Sequence, residues 1–351
     1  MDFRCYLREQ KELHPAMGPQ DAMKMIYQAA FGAEHLLEDQ EGARRYLMKE
    51  FEETEDAHKL PLIEDISEDM CRVNIGAWKA AGLPPEWLFG IFAASAKRAS
   101  GGEEKFYEYL QEADEEIARG GLDFDQEEWT AFKEGYLKGG VRAIHHSPAY
   151  RQAEKPAYRL AAGCFSRLVP VLEKAASPGT GGRPYVIAID GRAASGKTTM
   201  ANWLQAVLGA EIIHMDDFFL PMELRTPERL AQPGGNIHYE RFAEEVLPFI
   251  KKGGPLTYRR FDCSRMDYDP EPMRLKPSDR IVVEGSYSHH PHLGKYADIT
   301  VFSTISEELQ MERIRSRNGD EMAEVFKSRW IPMEEKYFSE MKIRENAQVI
   351  I

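Results

Sequence analysis

One stretch restricts this chain more than any other: IAIDGRAASGKTTMANWL, residues 187–204. Small and apolar residues run into Asp190. A glycine-bounded loop follows, then Lys197, Thr198 and an amphipathic run that reads as a helix. Gly191 to Thr198 fits GxxxxGK[ST], the Walker A pattern. Its glycines let the backbone curl until the N–H groups face phosphate oxygens, and the positive end of the following helix adds to that field. Lys197 can reach the β- and γ-phosphates of a nucleotide, and the Thr198 hydroxyl can bind Mg²⁺. The loop therefore assigns Gly191, Arg192, Ala193, Ala194, Ser195, Gly196, Lys197, Thr198 and Thr199 to nucleotide binding.

A phosphate loop of this kind needs a strand before it and a helix after it, and the surrounding sequence supplies both. After residue 184, short apolar runs alternate with helical stretches: YVIAID, AEIIHM, DRIVVEG, DITVFST and AQVII. That alternation predicts an α/β fold, a parallel sheet flanked by helices. Ligands of such sheets sit at the C-terminal ends of the strands, where Asp190, Asp216 and Glu284 fall.

HMDDFFLP places Asp216 and Asp217 side by side after the second strand; on an extended segment they point to opposite sides. One of them can face the γ-phosphate and accept the proton of an attacking hydroxyl. A helix cap or solvated turn is the alternative use of such a pair. IVVEG carries Glu284 to a strand tip, next to where a metal-bound water would lie. In LQMERIRSRNGDE, Arg313 and Arg317 stand four apart on one helix face. They can close over a transferring phosphoryl group, or form a surface helix with Glu–Arg pairs.

With these residues in view, the C-terminal half resembles the uridine kinase and phosphoribulokinase group of P-loop kinases. The likeness spans about residues 184–351 and follows an ordered series: the loop, DDFF, GGNIHYERF, LTYRRFDCSR, VVEGSY and an arginine-bearing lid. It implies ATP and Mg²⁺ as cofactors, Asp216 as catalytic acid–base residue, and Glu284 with Thr198 at the metal. It implies Lys197, Arg313 and Arg317 around the transferring group. The acceptor side departs from the family. Where those enzymes carry N-F-D-H-P, this chain reads Asn236-Ile237-His238-Tyr239-Glu240, so His238 replaces an aspartate. Where they carry Y-D-x-x-x-H-S-R, Tyr258 and Arg265 match but Cys263 replaces the histidine. His238, Tyr258, Cys263 and Arg265 are the implied substrate contacts. The changes, with Arg259 and Arg260 added, make the pocket more basic and point to an acceptor other than plain uridine: a nucleoside or related metabolite bearing negative charge.

Single cores rarely grow past about 250–300 residues, so 351 residues imply two domains. The run ASPGTGGRP favours coil and marks a Gly/Pro linker over 176–184, which separates an N-terminal domain, 1–175, from the kinase-like domain, 185–351. The N-terminal half reads as all-α. Its helical runs include PQDAMKMIYQAAFGAEHLL, EGARRYLMKEFEETEDA with Tyr46, Leu47 and Phe51 on one face, and KPAYRLAAGCFSRLVPVLEKAA broken at Pro170. It resembles a helical domain fused to such kinases in Firmicutes-like bacteria, of unassigned function. His145, His146, Tyr150, Arg151, Tyr158 and Arg159 can line an anion or metabolite pocket, and Glu34, His35, His14 and Glu50 can suggest a metal. Packing tyrosines and satisfied core histidines are the plainer reading of both groups.

Charge and cysteines narrow the class further. The two halves carry net charges of −9 (residues 1–184) and −4, against the basic balance of a nucleic-acid binder. The four cysteines form no CxxC pair, the opening MDFRCYLREQ is charged, and no apolar run nears the length of a membrane span. The expectation is a cytoplasmic phosphotransferase acting on a small metabolite, without nucleic-acid or membrane partners. A nucleotide-hydrolysing switch read out by the helical half is the alternative, and that half can also serve to build a homo-oligomer.

Overall fold

The computed structural model describes residues 2–32, 39–98, 101–176, 182–252 and 254–351. Contacts divide the chain into two units, Met1–Arg167 and Leu168–Ile351. The expected linker, 176–184, lies within the second unit's span, and its residues 177–181 lie outside the described ones.

The first unit is built mainly of helices: α1 (Phe3–Leu13), α2 (Pro19–Phe31), α3 (Gln40–Glu53), α4 (Ile75–Ala80), α5 (Pro85–Ala96), α6 (Glu103–Ala118), α7 (Gln126–Lys138) and α8 (Pro148–Glu154). Its core packs Tyr6, Leu7, Met23, Ile26 and Phe106, all nearly inaccessible to water. One feature corrects the all-α reading of this half. A three-stranded antiparallel sheet, β1 (Ile63–Asp65), β2 (Met70–Asn74) and β3 (Tyr158–Ala162), runs through the unit. The segment read as a last helix instead forms β3, a 3₁₀ turn over Gly163–Leu168, and the short helix α9 (Val169–Ala175). Pro170 sits in the opening turn of α9, where its missing N–H costs nothing. β2 escaped notice because most of its residues are buried on both faces, which erases the alternation that marks a strand. On α3, Leu47 is buried but Tyr46 is exposed, so the two do not share the buried face.

The second unit carries the expected sheet. β4 (Tyr185–Gly191), β5 (Glu211–His214), β10 (Arg280–Glu284), β11 (Ile299–Ser303) and β12 (Val349–Ile350) form five parallel strands in the order β12-β11-β4-β10-β5. Val186, Ile187 and Ile189 of β4 are fully buried, each contributing about 1.5–3 kcal/mol to folding. Its helices are α9, which opens the unit, α10 (Lys197–Leu208), α11 (Pro227–Leu230), α12 (Tyr239–Glu245), α13 (Leu247–Lys252), α14 (Glu307–Val325) and α15 (Ile331–Glu340). Two small antiparallel pairs, β6 (Leu256–Tyr258) with β9 (Met273–Leu275) and β7 (Phe261–Asp262) with β8 (Asp267–Tyr268), are inserted between β5 and β10. From β4 the chain first builds one side of the sheet and then crosses to the other for β11, which opens a crevice at the C-terminal end of β4.

Among the described residues, no helix is long and apolar enough to cross a membrane.

Candidate active site

The crevice beside β4 is occupied by the phosphate loop. Gly191 ends β4 at φ 137°, and a Cβ placed there would lie 2.0 Å from the carbonyl oxygen of Ser303 on β11. Only glycine lets the two strand ends approach this closely. The loop turns through Ala194 and Gly196, both at positive φ, and delivers Lys197 to the first position of α10. The first N–H groups of that helix have no carbonyl one turn back, so they remain free for an anion. Lys197 Nζ donates to the carbonyls of Gly191 (2.8 Å) and Arg192 (2.9 Å), folded over its own loop.

The far side of the loop is braced by residues that sequence reading passed over. Buried Glu334 of α15 accepts from the amide of Ala193 (3.0 Å) and the hydroxyl of Ser286 (2.7 Å). Burial raises the Glu334 pKa, with Lys197 pulling the other way. The Gln310 side-chain amide donates to the Ala193 carbonyl (3.0 Å), and Arg192 pairs with Glu335 (2.8 Å).

The acids at the strand tips divide the work. Asp190, fully buried, accepts from the amides of Gly191, Tyr287 and His289 and from the Tyr337 hydroxyl, so it ties the end of β4 to the 287–289 loop and to α15 and faces no solvent. Glu284, at the tip of β10, accepts from the Thr198 hydroxyl at 3.1 Å and pairs with His214 Nδ1 at 2.6 Å. That hydrogen bond raises the His214 pKa against its burial. Asp216 and Asp217 lie on a 3₁₀ turn rather than on an extended segment. Asp217 is buried and accepts from the Tyr258 hydroxyl at 2.8 Å, while its backbone carbonyl accepts from Arg241. Asp216 is closed in by protein yet its side chain opens to solvent, as befits the floor of a cleft. Loss of surrounding water and the charge of Glu284 raise its pKa; Lys197, His214 and Arg317 act against that rise.

Of the two arginines that the family resemblance assigned to a lid, Arg313 donates to the Ala194 carbonyl at 3.2 Å, while Arg317 is exposed and acts electrostatically on Asp216. Both precede Gly319, whose φ of 80° breaks α14.

The acceptor-side residues are dispersed in role. Tyr258 is spent on Asp217. Arg260 pairs with Asp269, Arg265 with Asp262 and Asp269, and Arg259 lies over the Tyr268 ring, so these arginines serve the small β7–β8 hairpin. His238 is half-buried, its Nδ1 has no hydrogen-bond partner among the described residues, and burial and Arg241 lower its pKa. Cys263 is solvent-facing, and partial enclosure together with Asp216 pushes its pKa up to about 11. The cation that does act on it is Arg225, which in turn feels Arg329; sequence reading missed both.

The donors present suit Mg²⁺ better than a metal caged by protein. Thr198 and Glu284 offer hard oxygens, and Mg²⁺ commonly takes one or two such groups beside substrate phosphates. Among the described residues there is no cluster of three or more His, Cys, Asp or Glu able to hold an ion. In the first unit, His14 pairs with Glu154 and Glu50 with Arg159, while Glu34 and His35 lie outside the described residues.

No family model matches this chain, and no curated protein does. Solved structures do. A protein provisionally described as a uridine kinase from Bacillus stearothermophilus is 21% identical, over 54% of this chain and 98% of that one, with a TM-score of 0.42. A second, provisionally described as a fructose transport system kinase from Silicibacter sp., is 21% identical over 53% and 97%, TM-score 0.44. D-glycerate 3-kinase from Cryptococcus neoformans is 16% identical over 48% and 84%, TM-score 0.34.

Proposed function

We propose that the second unit is an ATP-dependent phosphotransferase acting on a hydroxyl of a small metabolite. The observation that carries this reading is the separation of the two adjacent acids. Asp217 is locked inside by Tyr258, whereas Asp216 opens into the cleft beside Lys197, with a raised pKa. A carboxylate with a raised pKa at that place is suited to take a proton from an alcohol.

In this reading the loop amides and Lys197 hold the nucleotide phosphates. Lys197 exchanges its two backbone carbonyls for phosphate oxygens. Thr198 and Glu284 would hold Mg²⁺, which when bound neutralises charge on the phosphates. His214 orients Glu284. The acceptor oxygen forms its bond to the γ-phosphorus as the bond to ADP breaks, and the alcohol proton passes to the Asp216 carboxylate. Arg317 offsets the charge of the transferring group, and Arg313 fixes the loop at Ala194. The acceptor we infer is a nucleoside-like or related hydroxyl compound carrying negative charge, met by Arg225 beside Cys263.

ADP release with Mg²⁺-ATP, measured against nucleosides, sugars, vitamins and their phosphates, tests the reading. Release should depend on one acceptor class and vanish in Asp216→Asn with nucleotide binding intact. Slow release indifferent to every acceptor, and unchanged in Asp216→Asn, would favour a hydrolytic switch instead.

A further inference from the structure

We propose that the first unit contains a binding site for a small oxyanion, the carboxylate or phosphate of a metabolite, built on Arg72 with Lys24 and Tyr158 beside it. Arg72 lies on β2 opposite Leu160, and Tyr158 is two residues along β3 on the same face of the sheet. The guanidinium stands 4.4 Å from the Tyr158 ring centroid. Its side chain is 3% exposed. Its hydrogen-bond acceptors are neutral: Gln10 of α1 takes Nη1 at 3.0 Å and Gln28 of α2 takes Nη2 at 3.1 Å. The nearest carboxylate, Glu64, is 3.7 Å away and already accepts the Gln10 amide at 2.5 Å. Arg72 Nε and the hydroxyl of Tyr6 are buried without a partner among the described residues.

Burying a guanidinium whose ion-pair partner, Glu64, stands at 3.7 Å and is shared with Gln10 is costly, and a core that served packing alone would be better filled by apolar groups. The neighbouring helix adds one cation, Lys24, and one carboxylate, Asp21, whose bonds are made elsewhere. Lys24 lies three residues from Asp21 and four from Gln28, on one face of α2. Asp21 is the carboxylate of that face, and it is fully engaged: Gly18, both groups of Ser147 and His146 Nδ1 all bond to it. His146 Nε2 then meets the Tyr158 hydroxyl at 2.8 Å, and that hydroxyl donates to Gln28 Oε1 at 3.2 Å, so the Asp21–His146 pair and Gln28 hold Tyr158 in place. Burial lowers the Lys24 pKa, and the nearby Arg72 and Arg151 add to the effect. Arg72 and Lys24 therefore share two carboxylates, Glu64 at 3.7 Å from Arg72 and Asp21, and both are already bonded to other groups. Lys24 and Tyr158 are half-buried, so solvent reaches the cluster on their side. A planar fork beside an ammonium is the arrangement that recognises carboxylate or phosphate.

Calorimetric titration of the full chain carrying Lys197→Ala, which weakens the phosphate loop, tests this with two probes, inorganic phosphate and succinate. One of them should bind at millimolar concentration; which one binds tells a phosphate ligand from a carboxylate. In that background Lys24→Gln and Tyr158→Phe should each weaken binding by about tenfold or more. Arg72→Met should abolish it, provided its circular dichroism is native; if that variant does not fold, the other two decide. Absence of binding up to about 10 mM of either probe overturns the proposal, as does binding that both variants leave unchanged.

Discussion

Asp190 and Asp216 both stand at strand tips around the phosphate loop, and replacing each with asparagine should fail in opposite ways. Asp190 accepts from Gly191 (2.7 Å) and Tyr287 (3.1 Å) on Oδ1, and from His289 (2.9 Å) and the Tyr337 hydroxyl (2.9 Å) on Oδ2. An asparagine keeps one acceptor oxygen. Its NH₂ group must face the other pair of donors. The less costly orientation puts it at Oδ2, where the Tyr337 hydroxyl can turn and accept, but the His289 amide loses its acceptor at a cost of about 1–3 kcal/mol. The Gly191, Tyr287 and Tyr337 bonds also fall from charged to neutral strength, about 1 kcal/mol each. Relief from burying a charge offsets part of this. A net loss of about 3 kcal/mol lowers the melting temperature of a unit this size by roughly 6–12 °C. Asp216 makes no such set of bonds and opens to solvent, so Asp216→Asn should leave melting almost unchanged while removing acceptor-dependent ADP release. Scanning calorimetry beside the coupled assay reads both. A shift under about 2 °C for Asp190→Asn, or an equal fall for both variants, would refute the division of roles.

Gly191→Ala should destabilise the unit by about 3 kcal/mol and lose nucleotide binding, read by titration of a fluorescent ATP analogue, because its Cβ meets the Ser303 carbonyl at 2.0 Å. The His214–Glu284 pair gives stability a pH dependence. Since the folded His214 pKa is raised, its contribution is full below the unfolded value near 6.5 and disappears as pH rises through the folded value. His214→Ala should therefore lower the melting temperature more at pH 6 than at pH 9. Arg317→Gln should reduce kcat about a hundredfold and move the acid limb of the pH–rate profile upward, because Arg317 holds the Asp216 pKa down. Arg313→Gln, which loosens the loop at Ala194, should act on KM for ATP instead.

Parts of this molecule were legible in one dimension for a physical reason. Strands of a parallel sheet are buried on both faces and appear as continuous apolar runs between helices, so all five could be found. The same double burial hid β2, a short segment containing Cys71 and Arg72 that no helix pattern brackets as strand. Tyr158–Ala162 carries residues that suit a helix equally well, and pairing with β2 decided the matter.

By itself the sequence determined the phosphate loop, because its chemistry is local: backbone N–H groups, a lysine and a hydroxyl within a few residues of one another. It also determined that acids would arrive at strand tips. Which acid opens to the cleft was decided by the tertiary structure, through Tyr258 reaching Asp217 from 41 residues away. So was the brace on the loop, where Glu334 meets Ala193 across 141 residues. A buried carboxylate or guanidinium takes its meaning from the partners it finds, and those partners come from distant segments that only the packed fold brings together.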